Sequence, residues 1–253
     1  MTAQLLITGL TKRFGGVVAV DDVSLDFASG SLSAVIGPNG AGKTTMFNLL
    51  SGRLRPDAGA VLLDGRNIAG LQETAIARSG VARAFQVASL FGRFTVEEAL
   101  ASAILSHRRQ SHLWFRRFPL RQARERAQEI MALVGLETHA WQLSQNLSHG
   151  DQKVLDIALA LSIEPSVLLL DEPTAGMGRE ERWQMIDKIY RLWTKQRMTL
   201  IFIEHDMDIV FKIAQSVRVL RYGRVLAEGT PSDIRGNPAV IEAYLGPGHS
   251  GSA

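Results

Sequence analysis

Apolar and polar residues alternate through the first third of the chain. QLLITGLTKRF and AVDDVSLDFASGSLSAVIG read as short strands parted by polar turns, and AVLLDGRNI adds another about Asp64 and Gly65. SAVIG, residues 33–37, is an apolar run that stops at a glycine. KTTMFNLLSG then supplies helix-forming residues, with Gly52 at the position of a C-cap. From about 95 to 162 the period becomes helical. TVEEALASAIL begins with a threonine followed three residues later by Glu98, the pattern of a capping box. RQARERAQEIMALVGL sets Ala127, Ile130, Met131 and Val134 on one face and ends before Gly135.

Strands return in the C-terminal part. SVLLLDEP and MTLIFIEHD are apolar runs of the length of buried strands, with the amphipathic helix REERWQMIDKIYRLWTKQ between them. SVRVLRYGRVLAEGT predicts a hairpin about Tyr222 and Gly223. Apolar strands alternating with helices predict an α/β fold whose parallel sheet is covered on both faces. The ending GPGHSGSA is expected to be a disordered tail, and no internal repeat is found.

Bulk composition narrows the function classes. A chain of 253 residues can bury one large core, or a core with a subdomain. No stretch approaches the ~20 apolar residues of a membrane-spanning helix, and no basic segment followed by an apolar one marks a secretory signal. The absence of cysteine excludes a disulfide framework and a thiolate metal site, and fits a cytosolic protein. A net charge of +3 gives no case for nucleic acid as a partner. Residues 107–126, HRRQSHLWFRRFPLRQARER, are nevertheless rich in arginine. With Trp114, Phe115 and Phe118 among the cations, this segment suits an anionic lipid surface or a membrane partner; a solvated basic loop is the alternative.

GPNGAGKTT, residues 37–45, matches the phosphate-loop pattern and stands between a predicted strand and a predicted helix, the context this motif requires. The glycines of the loop Gly37, Pro38, Asn39, Gly40, Ala41 and Gly42 would let its backbone N–H groups converge on phosphate oxygens at a helix N-terminus. Lys43 would reach the β- and γ-phosphates, Thr44 would offer its hydroxyl to Mg²⁺, and Thr45 continues the first turn. Asp171 and Glu172 end a buried strand, where carboxylates are costly unless a cation or donor meets them. Asp171 can hold Mg²⁺ through its water shell, and Glu172 can orient or deprotonate an attacking water. His205 ends the next apolar strand. Ser148 in NLSHGDQK can cap a helix that Asp151 and Gln152 begin and can at the same time be half of a nucleotide site that a second subunit completes.

In this order GPNGAGKTT, FQ at 85–86, LSHGDQ, VLLLDEPTAG and IEHD resemble the ATP-binding cassette family, the ATPase subunits of ABC transporters. The resemblance implies a P-loop NTPase of ABC type, with a RecA-like core, an antiparallel β subdomain and a helical subdomain. It implies one domain over 1–246: core and β subdomain at about 1–86 and 163–246, and a helical subdomain at about 87–162 with a basic insertion at 106–120, followed by a tail at 247–253. It further implies that Phe14 stacks on adenine, that Gln86 senses Mg²⁺ and water and couples to the membrane subunit, and that His205 contacts the γ-phosphate. Ser148, His149 and Gly150 would cover an ATP held by a second, head-to-tail ABC ATPase subunit. The implied partners are that cassette, two transmembrane permease subunits and, indirectly, a substrate-binding protein, at the cytoplasmic face of the inner membrane.

Three features resemble the cassettes of branched-chain amino-acid, urea and amide uptake: the arginine-rich insertion, DEPTAGM, and the ending NPAVIEAYLG. This subfamily resemblance favours a different chain as the second ATPase. The lipopolysaccharide-export cassette is a close neighbour. A soluble ABC ATPase is disfavoured by the lack of a coiled-coil insertion or a second cassette, and an inactive regulatory one by the presence of Lys43, Asp171, Glu172 and His205. Two departures from the family pattern stand out. Gly178 replaces a D-loop aspartate or asparagine, and Leu147-Ser148-His149-Gly150-Asp151 replaces the commoner Leu-Ser-Gly-Gly-Gln. Asp151 would repel a triphosphate unless its carboxylate turns away.

Overall fold

The structure is a computed structural model and describes residues 3–84, 91–107 and 120–245. Gln86, most of the basic insertion and the 247–253 tail lie outside the described residues.

Strands β1 (Leu5–Phe14) and β2 (Val17–Phe27) form an antiparallel hairpin turned at Gly15 and Gly16. β3 (Leu32–Ile36) leads through the phosphate loop into α1 (Lys43–Leu50), and β4 (Ala58–Leu63) and β5 (Arg66–Asn67) follow. The strands β2-β1-β4-β5 make one antiparallel sheet. After α2 (Glu73–Ser79) and β6 (Val81–Ala84) come the α-helices α3 (Val96–His107), α4 (Leu120–Val134) and α5 (His149–Leu161). The remainder is β7 (Val167–Asp171), α6 (Arg179–Gln196), β8 (Thr199–Ile203), α7 (Met207–Ile213), β9 (Ser216–Arg221), β10 (Arg224–Gly229), α8 (Pro231–Arg235) and α9 (Pro238–Leu245). The second sheet has the order β10-β9-β3-β8-β7-β6, parallel except for β10.

Burial follows the sequence pattern. β3 and β8 are buried at every position, as expected for parallel strands covered on both faces. Because side chains alternate across a strand, Ala34, Leu168, Leu200 and Phe202 join a core shared with α3, α4, α5 and α6. Val35, Leu169, Ile201 and Ile203 join the opposite core, with α1 and the antiparallel sheet. Each face of the central sheet therefore anchors a different layer. The helical face read from the sequence is buried as expected, with Ala127, Ile130, Met131 and Val134 all in the core.

The local signals behave as their chemistry requires. Thr95 N–H donates to Glu98 Oε2 (2.9 Å) and Glu98 N–H donates to Thr95 Oγ1 (3.3 Å), which closes the capping box at α3. The hairpin between β9 and β10 turns with positive φ at both Tyr222 (51°) and Gly223 (79°), the twist that suits a two-residue connection. Two details differ from expectation. α1 is capped at Ser51, with Gly52 one residue further on in the left-handed region (φ 81°). α5 begins at His149 rather than at Asp151. Among the described residues no helix is long and apolar enough to cross a membrane.

Candidate nucleotide site

Sheet order brings the predicted chemistry together. β8 lies between β3 and β7, and all three strands run parallel, so the phosphate loop, His205 and the Asp171–Glu172 pair emerge at one edge of the sheet. β6 pairs parallel with β7, so its last residue, Ala84, lies at the same edge. Loops beyond the carboxyl ends of parallel strands are where open α/β sheets hold ligands.

Two close approaches shape the phosphate loop. Gly42 is the N-cap of α1 with φ 99°, and a Cβ there would stand 2.3 Å from the Ala19 carbonyl of β2. At Gly37 (φ 150°) a Cβ would stand 2.2 Å from the carbonyl of Leu220 on β9. The loop is thus packed between β2 and β9 through glycines. Gly223 N–H also donates to the Ala41 carbonyl (3.0 Å), and Ala41 N–H donates to that of Pro38 (3.1 Å). No side chain caps α1, so its first-turn N–H groups have no helical partner and suit an anion. Asn39, Gly40 and Thr44 are exposed at the mouth. Lys43 is buried, and its Nζ donates to the carbonyls of Gly37 (2.7 Å) and Pro38 (3.0 Å). Burial holds its pKa below the usual lysine value, and the charges of Glu172 and Asp171 oppose that shift. Phe14 is 47% exposed, at the hairpin tip of the strand pair whose Ala19 touches Gly42.

The strand-end carboxylates have different partners. Asp171 forms an ion pair with Arg83 of β6, whose guanidinium also donates to Asn48 Oδ1 (2.7 Å) and lies over the Phe47 ring. Burial lowers the Arg83 pKa, and the Asp171 charge opposes the shift. Glu172 Oε1 accepts a hydrogen bond from His205 Nε2 (2.7 Å), so two predicted catalytic side chains meet directly. Glu172 adopts φ 48°, an uncommon conformation for a side-chain-bearing residue and one that clusters at functional sites. The loop after it is fixed by Glu204, which is 4% exposed and accepts from Thr174 N–H (3.1 Å) and Thr174 Oγ1 (2.6 Å). The Thr44 hydroxyl and the Asp171 carboxylate are oxygen groups of the kind a small hard cation takes, and a cation there would share the carboxylate with Arg83. Mg²⁺ bound there would neutralise charge on the phosphates.

Ser148, His149 and Gly150 stand at the N-terminus of α5, against the loop that follows Glu172. A Cβ on Gly176 would meet His149 Nε2 at 3.3 Å, and one on Gly150 would meet Met177 Cε at 3.9 Å. Ser148 is the N-cap: its Oγ accepts from Asp151 N–H (3.1 Å) and donates to Asp151 Oδ2 (2.7 Å). The Asp151 carboxylate is thereby turned onto its own helix terminus, where the dipole stabilises it. Gly178, the other departure, is the N-cap of α6; having no side chain, it is supported by Glu181 Oε2, which accepts its N–H (3.1 Å). Ser148→Ala is expected to cost about 1 kcal/mol of stability, a fall of roughly 2–4 °C in a thermal melt for a domain of this size. An unchanged melt would remove the capping role.

Sequence reasoning missed Arg83, Glu204 and Lys153, whose Nζ donates to the carbonyls of Glu172 (3.1 Å) and Ala175 (2.7 Å). Each acts across the fold, although all three lie in or beside a motif: Arg83 three residues before Gln86, Glu204 within IEHD and Lys153 at the end of NLSHGDQK.

Comparison with known proteins agrees with this geometry. The family model for ABC transporters matches residues 20–175, and that for branched-chain amino acid ATP-binding cassette transporters matches 224–248. The chain is 41% identical over 251 residues to the high-affinity branched-chain amino acid transport ATP-binding protein LivG of Escherichia coli (strain K12), covering 96% of this chain and 97% of that one. It is also 41% identical over 249 residues to BraF of Pseudomonas aeruginosa, with the same coverage. Among solved structures, a nucleotide-free ATP-binding cassette from an ABC transporter superposes with a TM-score of 0.84 at 27% identity, covering 97% of this chain and 100% of that chain. With this match over most of its length, its phosphate loop and its paired Glu172 and His205, the chain belongs to the ABC transporter family as an ATP-binding, ATP-hydrolysing cassette.

Proposed function

We propose that this cassette powers an importer of branched-chain amino acids, or of related amino acids, amides or urea, at the cytoplasmic face of the membrane. The observation that carries the reading of the site is the Glu172–His205 hydrogen bond, made beside a phosphate loop on the adjoining strand of one sheet. In this reading the first turn of α1 and Lys43 bind the phosphates, and Phe14 stacks on adenine. Thr44, Asp171 and Gln86 would hold Mg²⁺. Glu172 orients and deprotonates the attacking water, and His205 fixes the Glu172 carboxylate and contacts the γ-phosphate. Ser148, His149 and Gly150 complete the nucleotide site of a second cassette arranged head to tail, a different chain in the subfamily that this one resembles. Two permease subunits would respond to closure of the pair, and a binding protein would deliver the solute. Domain limits follow the same scheme, with helices α3 to α5 as the helical subdomain and the two sheets as the core and β subdomain.

The relatives named above are transport ATP-binding proteins for branched-chain amino acids, and the C-terminal match is to cassettes of that class. Both favour this cargo over lipopolysaccharide. The test is uptake by proteoliposomes holding this chain with its permeases, second cassette and binding protein. ATP-driven accumulation of labelled leucine, isoleucine or valine is expected. Accumulation of another amino acid or of urea alone would move the cargo, and no accumulation of any of them would overturn the import reading.

A further inference from the structure

We propose that Lys153 is a positioning residue for Glu172: its ammonium, carried on α5, holds the Glu172 carbonyl in the left-handed turn that aims the carboxylate at His205. The proposal rests on reading Glu172 as the group that acts on water.

The starting point is the backbone of Glu172. Its φ of 48° places a side-chain-bearing residue in a region that persists only where the surroundings over-determine it. Four contacts do so here, one of them the turn bond in which Ala175 N–H donates to the Glu172 carbonyl (3.1 Å). Glu172 N–H donates to the Ile203 carbonyl of β8 (3.1 Å), so the residue still belongs to the sheet on its amide side. The left-handed turn then sends its carbonyl toward α5, where Lys153 Nζ meets it at 3.1 Å and spans to the Ala175 carbonyl at 2.7 Å. Further along, Glu204 grips Thr174 through both its N–H and its hydroxyl, while its other oxygen accepts from His205 N–H (3.2 Å). The loop is therefore clamped between a buried carboxylate on the β8 side and an ammonium on the α5 side.

Lys153 is not placed as a solvated surface lysine. It is half-buried, its desolvation lowers its pKa, and the nearby charges of Glu204, Glu172 and Asp156 favour the charged form. A lysine whose ammonium exchanges water for two main-chain carbonyls makes charge-assisted bonds that fix geometry. Here the fixed geometry is that of the Glu172 main chain, one residue beyond the strand, and a rotation there swings the carboxylate away from His205. Catalytic groups lose efficiency steeply with displacements of about 1 Å. The same two bonds make the position of Glu172 depend on α5, the helix capped by Ser148.

The test compares Lys153→Met, which keeps the stem and removes the ammonium, with Lys153→Arg, which restores donors. ATP hydrolysis and nucleotide affinity are measured on the full chain assembled with its second cassette, with hydrogen exchange at the amides of Ala175 and Met177, which bond within this loop to Glu172 and Thr174 carbonyls. Lys153→Met is expected to lose about tenfold or more in kcat with KM and the ADP dissociation constant within about twofold, the mark of an interaction that serves turnover and not binding. Exchange at Ala175 and Met177 should quicken while the β7 and β8 amides stay protected, and Lys153→Arg should recover most of kcat. Wild-type kcat in Lys153→Met overturns the proposal. So does a loss that arginine fails to restore, or one accompanied by deprotection of the whole sheet, which marks a merely structural lysine. Glu172→Gln in parallel separates the two levels. If that variant turns over normally, the reading of Glu172 itself fails; if it is inactive while Lys153→Met is not, only the role of Lys153 fails.

Discussion

Glu172→Gln is expected to lower ATP turnover by roughly 10²–10⁴-fold, the contribution of a positioned general base, while nucleotide affinity stays within about twofold of wild type. Glutamine has the same shape, and its side-chain oxygen can still accept from His205 Nε2, as Glu172 Oε1 does at 2.7 Å. The turn at φ 48° and its Lys153 bond involve the main chain and are untouched. What disappears is the proton acceptor and its charge. The contacts that hold phosphate, namely the first turn of α1 and Lys43, lie on a different strand connection and remain. Single-turnover chemistry and equilibrium binding, measured on one preparation, separate the two effects. With ATP bound and unspent, the head-to-tail pair with the second cassette should accumulate when that chain is supplied, visible as an ATP-dependent rise in mass by light scattering. A glutamine variant that hydrolyses at the wild-type rate would remove Glu172 from the chemistry.

The parts of this site that could be read in advance are those whose chemistry is local in sequence. The phosphate loop is one contiguous string, because the cradle is built from consecutive backbone N–H groups and so needs glycines at fixed offsets. β3, β7 and β8 were legible as unbroken apolar runs because both faces of a central parallel strand are covered. The boundary of α3 was legible because Thr95 and Glu98 satisfy each other's amides.

The elements that escaped notice are short. β6 has four residues and α2 seven, too few to show a period against their flanks. Residue pairings across the fold were illegible for a different reason. Arg83 meets Asp171, and Glu204 meets Thr174, only after the sheet order β3-β8-β7-β6 has been set. Asp151 shows how a charge can stand out in the sequence while the partner that turns it away does not. Its charge looked hostile to a triphosphate until the Ser148 hydroxyl was found to hold the carboxylate at the helix terminus. The spacing of three residues already contained that answer, as the same spacing did at Thr95.

Lys43→Ala is expected to weaken ATP binding by roughly 10²–10⁴-fold, because two charge-assisted hydrogen bonds to phosphate are worth about 1.5–3 kcal/mol each and about 1.4 kcal/mol is tenfold in affinity. The Lys43 ammonium bridges the carbonyls of Gly37 and Pro38, so it closes the loop on itself. Burial has already removed most of its water, as the lowered pKa reflects. The desolvation that usually opposes a salt bridge has therefore been incurred during folding, and the transfer to phosphate exchanges neutral acceptors for charged ones. Alanine forfeits the gain and also leaves two loop carbonyls without this donor. A fall in melting temperature must thus be measured beside the affinity. Titration with a fluorescent ATP analogue, on variant protein shown to be folded by its melt, gives the phosphate contribution free of that effect. Lys43→Arg keeps the charge but brings a planar fork into a space bounded by the Gly37 and Pro38 carbonyls, and it should recover only part of the affinity. Wild-type affinity in the alanine variant would mean that the helix N-terminus alone carries the phosphates and that Lys43 serves only to close the loop.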